Sequence, residues 1–178
     1  VKGYHIVDRI EFPTDTSDGA EGYISALCQN IQELLSNHGL SCSDISYAGM
    51  GVPGSFNRET GMVEYANNLG FSNVPFESML REKTGITICL DNDANLAAYG
   101  EYLLGKSKSE SFLMITLGTG IGCGMIFHGK IYRGINFAEG EIGHMTIKYD
   151  GISCNCGRKG CFEAYASSNA LVKMACDA

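Results

Sequence analysis

Residues 154–161 read CNCGRKGC, and ten residues before the first of these cysteines stands His144, in GEIGH. This feature constrains the fold most. Cys154, Cys156 and Cys161 have the spacing C-x-C-x4-C. Three thiolates and one imidazole form a common closed, tetrahedral zinc set. Gly157 and Gly160 let the loop fold back, so that sulfurs on both sides face one ion. Four protein ligands leave no open position, so the ion expected here is structural rather than reactive. Three free cysteines in a loop are the plain alternative. The sequence has no C-x-x-C pair, which weakens a thioredoxin-type redox reading.

The other five cysteines (Cys28, Cys42, Cys89, Cys123 and Cys176) stand alone on helix or strand patterns. Isolated cysteines of this kind behave as small buried hydrophobes. The pattern is not a secreted disulfide framework, and it points to a reducing, cytoplasmic setting. With 178 residues the chain can bury a core of one domain or one and a half. Its net charge of −7 argues against a duplex-DNA footprint in this segment, because phosphate binding needs clustered Lys and Arg. No apolar run is long enough to span a bilayer, and no signal-peptide pattern opens the sequence.

Periodicity organises the rest. Residues 4–15 (YHIVDRIEFPTD) alternate roughly as a strand in the middle of a sheet. Tyr23, Ile24, Leu27, Ile31, Leu34 and Leu35 recur at helical spacing, and Gly39 is a stop. A short strand, DISYAGM, leads into the turn GVPG at 51–54. A second helix is expected between Pro75 and Gly85. ITICL (86–90) reads as a buried strand running into a helix over DNDANLAAYGEYLLG. After the serine-rich connection KSKSES (106–111), the strands FLMITL, CGMIF and IYRG form a meander with glycine turns. A further helix is expected from CFEAYASSNALVKMA.

Three more motifs carry chemistry. In LDNDAN (90–95) a polar triplet closes an apolar strand and opens a helix. Ligands of α/β sheets bind in the crevice beyond such strand ends. The helix N-terminus favours an ionised Asp93, which suits an acceptor of a hydroxyl proton. Simple helix capping is the alternative reading. LGTGIGCG (117–124) is a strand–turn–strand loop whose N–H groups can cradle phosphate. It is neither a Walker A loop nor a Rossmann fingerprint, and a tight hairpin explains it equally well. Glu141 and Glu163 flank the cysteine cluster. Each is either a receiver of sugar hydroxyls or a solvated surface charge.

Taken in order, GVPG, NNLGFSNVP, LDNDANLAAYGE, LGTGIGCG, GEIGH and CNCGRKGCFEAYAS resemble the ROK family of bacterial sugar kinases and sugar-responsive repressors. The resemblance runs from about residue 44 to 168. It implies an α/β, actin-like or ribonuclease-H-like ATPase fold, partial here, with a zinc-braced loop. Residues 1–108 would form the N-terminal lobe, and 109–178 the start of the C-terminal lobe. It implies Asp93 as general base. Gly51, Gly54, Asn68, Asn92, Glu141, His144 and Glu163 would contact sugar, with Asn67 where the family has proline. Gly118, Thr119, Gly120 and Gly122 would hold ATP phosphates. His144, Cys154, Cys156 and Cys161 would hold structural zinc.

The activity so implied is ATP-dependent phosphorylation of a hexose or amino-hexose, with ATP and magnesium, by a homodimer. The family's opening Asp-x-Gly-Gly-Thr strand and its later adenosine-binding segment are not found. The chain is therefore expected to be an internal piece of a longer protein and inactive alone. Two rivals stand beside the kinase. One is a repressor of the same family whose DNA-binding domain lies outside this segment. The other is a non-catalytic, zinc-braced interaction module.

Overall fold

In the computed structural model, residues 5–105, 109–135 and 140–177 are described, with Asn67 described by its backbone alone. The chain divides into two compact units, Val1–Asp93 and Ala94–Ala178. The boundary expected from sequence is instead at 108, in a connection whose residues 106–108 lie outside the described ones.

The first unit begins with helix α1 (Gly19–Ser36). Its apolar stripe buries Ile24 and Cys28, and left-handed Gly39 follows its end. Strand β1 (Tyr47–Val52) follows, then β2 (Ser55–Asn57), β3 (Met62–Ala66) and β4 (Phe71–Val74), an antiparallel sheet in the order β2-β3-β4. Helix α2 (Phe76–Thr84) starts after Pro75 and stops at left-handed Gly85, as the proline and glycine predict. Strand β5 (Thr87–Asn92) then pairs parallel with β1, with Tyr47 opposite Thr87 and Val52 opposite Asn92.

One hydrophobic core serves these elements. Ile24, Val63, Leu80 and Ile86 are almost fully buried there. Each such side chain contributes roughly 1.5–3 kcal/mol by leaving water. Tyr23, Phe71 and Phe76 form an aromatic trio with ring centroids 5.8–6.4 Å apart, which fastens α1 to β4 and α2.

One expectation is corrected here. The stretch 4–15 is not a strand among its described residues. Ile6 and Val7 are adjacent and both largely exposed, so the alternation needed to bury one face is missing. Conversely, β2, β3 and β4 lie in a stretch without detectable periodicity. They have only three to five residues each, too few to repeat a pattern.

The second unit opens with helix α3 (Asp93–Leu104), whose first residue closes the first unit. Strands β6 (Ser111–Leu117), β7 (Ile121–Phe127) and β8 (Lys130–Ile131) form the expected antiparallel meander. His128 and Gly129 both have positive φ, the primed geometry that suits a two-residue hairpin between twisted strands. The third strand is shorter than IYRG suggests, its ladder ending as Tyr132 N–H donates to Met125 C=O. The final helix is also two pieces, α4 (Glu163–Ala166) and α5 (Ser168–Cys176). Ser167 is extended between them, and its hydroxyl accepts from Ala170 N–H, which restarts the helix as an N-cap does. Among the described residues no helix is long and apolar enough to cross a membrane.

Candidate functional site

The parallel pairing of β1 with β5 determines one end of the first unit. It sets Gly51 opposite Asp91 and Val52 opposite Asn92, so the turn at Gly51–Gly54 leaves the sheet beside the Asn92–Asp93 junction. Gly54 has φ of +83°, and a Cβ there would run into the Tyr65 carbonyl at the end of β3. Chain from that point leads within three residues to exposed Asn68, in a single 3-10 turn. Gly51 and Asn92 thus lie at the C-terminal ends of β1 and β5, and Gly54, Asn68 and Asp93 follow shortly after β1, β3 and β5, all in one unit.

The two acids of LDNDAN part company. Asp91 is buried, and its Oδ1 accepts the Asn92 N–H at 2.9 Å. Asp93 is exposed at the first position of α3, where the helix dipole favours its anion. The motif alone does not separate them. Strand alternation does not separate them either: Ile88 and Leu90 are buried in period two, which would turn Asp91 outward, and its burial breaks that alternation.

The cysteine cluster forms in the second unit. Ligand atoms of His144, Cys154, Cys156 and Cys161 all lie within 4.8 Å of one another. The Cys156 and Cys161 sulfurs are 3.6 Å apart, and the Cys154 sulfur is 3.7 Å from His144 Nδ1. Zinc–sulfur bonds of about 2.3 Å at a tetrahedral centre set sulfurs about 3.8 Å apart, so the four donors suit one zinc ion. Backbone bonds shape the loop, with Cys154 N–H donating to Arg158 C=O at 2.8 Å and Gly157 N–H to Cys154 C=O at 3.1 Å. The Arg158 backbone N–H stabilises the Cys156 thiolate and pulls that thiol well below its usual range. Burial pushes the Cys161 thiol upward. His144 Nε2 faces Glu141, 3.9 Å from its Oε2. A carboxylate behind a ligating imidazole commonly orients the ring.

The glycine turn 118–120 lies in the same unit and is held from two sides. Glu163 Oε2 accepts the Ile121 N–H at 2.8 Å, and it occupies the space where a Cβ on Gly120 would sit. Ser168 donates twice to the Gly118 carbonyl, from its N–H at 2.9 Å and its hydroxyl at 2.7 Å. Gly122 sits within β7, where a Cβ would crowd Thr116 and Ala94, so its small size lets the strand approach α3. Gly140 and Gly143 likewise press on the β7 carbonyls of Cys123 and Ile121. The loop bearing Glu141 and His144 therefore rides on the strand whose first N–H Glu163 holds. Ser168 is a residue that no sequence motif singles out. Its one signal is the pair Ser167–Ser168 inside what otherwise reads as a continuous helix.

A parallel strand pair leading into a helix, and an antiparallel meander with a glycine turn, fit the actin-like, ribonuclease-H-like class of α/β proteins. Within that class the chain belongs to the ROK family, whose model matches residues 5–177. A glucokinase of Halalkalibacterium halodurans is 40% identical over 172 residues, 96% of this chain and 52% of its own length. The xylose repressor of Bacillus subtilis is 37% identical over 126 residues, 70% of this chain and 33% of its own length. Among solved structures, a ROK family glucokinase from Streptomyces griseus in complex with glucose and AMPPNP matches with a TM-score of 0.83. Its identity is 32%, over 97% of this chain and 54% of that one. The chain spans about half the length of the curated glucokinases it matches.

Proposed function

We propose that the whole protein transfers the γ-phosphoryl group of ATP to a hydroxyl of a hexose, as a glucokinase-like sugar kinase. The observation that carries this reading is the exposed Asp93 carboxylate at the end of a parallel strand and the start of a helix. Asp93 accepts the proton of the sugar hydroxyl as the oxygen attacks the γ-phosphorus, and the bond to the ADP oxygen breaks. Gly51, Gly54, Asn68 and Asn92 of the first unit bind sugar. In the second unit Glu141, His144 and Glu163 do the same. Gly118, Thr119, Gly120 and Gly122 form the phosphate-binding segment.

Zinc is held by His144, Cys154, Cys156 and Cys161, the four-donor group whose spacing suits it. It supplies rigidity to the loop and takes no part in the reaction. Magnesium requires oxygen ligands. Among the described residues the one such cluster of ligating side chains is rich in sulfur, so no residue here is assigned to magnesium. Cysteines kept reduced to hold zinc suit a reducing cytoplasm. The homodimer rests on the family resemblance alone.

The test is a panel of hexoses and amino-hexoses with ATP and the full-length protein, read as ADP release. Glucose is the expected substrate. A protein that binds sugar, transfers no phosphoryl group and protects an operator from nuclease is instead a repressor. The similarity to the xylose repressor favours that second reading. A protein that binds neither sugar nor ATP in calorimetry is the interaction module.

A further inference from the structure

The Gly118 carbonyl is the acceptor of two hydrogen bonds from one residue, Ser168, fifty positions later in the chain. One bond comes from the backbone and one from the hydroxyl. A trans peptide unit points its C=O and its N–H in opposite directions. Pinning the Gly118 carbonyl against Ser168 therefore aims the Thr119 N–H away from α5.

The other N–H groups around the turn have separate fates. Gly118 N–H donates to the Gly120 carbonyl at 2.9 Å, and Ile121 N–H donates to Glu163. Among the described residues none accepts from the N–H of Thr119 or Gly120. Thr119 itself is exposed. The turn thus aims the Thr119 N–H away from α5 and leaves the next N–H, of Gly120, without an acceptor among the described residues, and adjacent N–H donors of this kind are what backbone anion cradles use.

We infer that Ser168 is a positioning residue for the nucleotide: by clamping the Gly118 carbonyl it orients the Thr119 N–H toward a phosphate. It touches neither sugar nor phosphate. The inference rests on the kinase reading above and concerns its nucleotide side alone. Ser168→Ala removes the hydroxyl bond and keeps the backbone bond. Ser168→Thr keeps both.

The experiment uses the full-length protein and compares three forms, wild type, Ser168→Ala and Ser168→Thr. ATP dependence is measured at saturating sugar, sugar dependence at saturating ATP, and the thermal midpoint alongside. Loss of one net hydrogen bond predicts a rise of about 3- to 10-fold in the KM for ATP of Ser168→Ala. The sugar KM should stay within about twofold, and Ser168→Thr should restore the ATP value. An unchanged ATP KM in Ser168→Ala overturns the inference, as does an equal rise in both KM values. Failure of Ser168→Thr to restore the ATP value overturns it too. A wild type that neither binds nor turns over ATP removes the kinase reading and this inference together. A wild type that does both, matched by Ser168→Ala, removes the inference alone.

Discussion

Glu163 Oε2 accepts the backbone N–H of Ile121 at 2.8 Å, across 42 positions of chain. The glutamate two residues after Cys161 thus carries a structural duty at the exit of the glycine turn. Its other oxygen, Oε1, is the one left for a sugar hydroxyl in the proposed function. Replacing it with alanine strands a part-buried N–H, which costs about 1–3 kcal/mol. Glu163→Ala should lower the thermal midpoint by several degrees, and Glu163→Gln by less, since an amide oxygen still accepts. Calorimetric scans of the full-length protein measure both. Equal midpoints for wild type and Glu163→Ala would show that this bond holds nothing.

Asp93→Asn keeps size and polarity but removes the proton acceptor. Turnover should fall by roughly 10²–10⁴-fold, the usual contribution of a positioned base. Sugar affinity should change little, because the exposed side chain remains polar. Steady-state kinetics with an independent sugar-binding titration separate the two. Near-normal turnover would remove Asp93 as base.

Metal content follows from the four-donor cluster. Elemental analysis should find zinc close to one per chain, and a chelator should destabilise the second unit. Protons compete with zinc for thiolates, so affinity must fall as pH falls. The Arg158 N–H pulls the Cys156 thiol below its usual range, whereas burial raises the Cys161 thiol, which gives up its proton when metal enters. Zinc uptake by the stripped protein should therefore release protons, detectable as a buffer-dependent binding heat. Absence of zinc together with free reaction of the exposed Cys156 with a thiol reagent would refute the site.

Gly54→Ala tests the first unit. The residue has a left-handed φ of +83°, and an added Cβ would meet backbone at the end of β3. Backbone strain of this kind costs about 1–3 kcal/mol. Denaturant unfolding should show a lower midpoint for Gly54→Ala. Sugar affinity should fall too, because the 51–54 turn would have to move.

Local patterns in the chain announce many of these elements. The helix over Gly19–Ser36 shows itself through six apolar residues at helical spacing. The helix after Pro75 is marked at both ends. The meander of the second unit shows in its short apolar runs and glycine turns. The three strands between residues 55 and 74 escape detection, because elements this short carry no period. The break at Ser167 escapes because a serine within an apolar helical pattern reads as a surface position until its cap bond is seen.

The sequence by itself determined the clustering of His144 with Cys154, Cys156 and Cys161 and the strand-to-helix junction at Asp93. Both depend on residues close together in the chain, where spacing stands in for geometry. Only the tertiary structure decided which acid of LDNDAN faces outward, since burial of Asp91 depends on how β5 packs. It also decided what Glu163 and Ser168 do. Their partners are backbone groups 42 and 50 positions away. Every residue here carries the same backbone C=O, and all but the three prolines the same N–H, so nothing in the sequence distinguishes the particular ones that folding brings within reach.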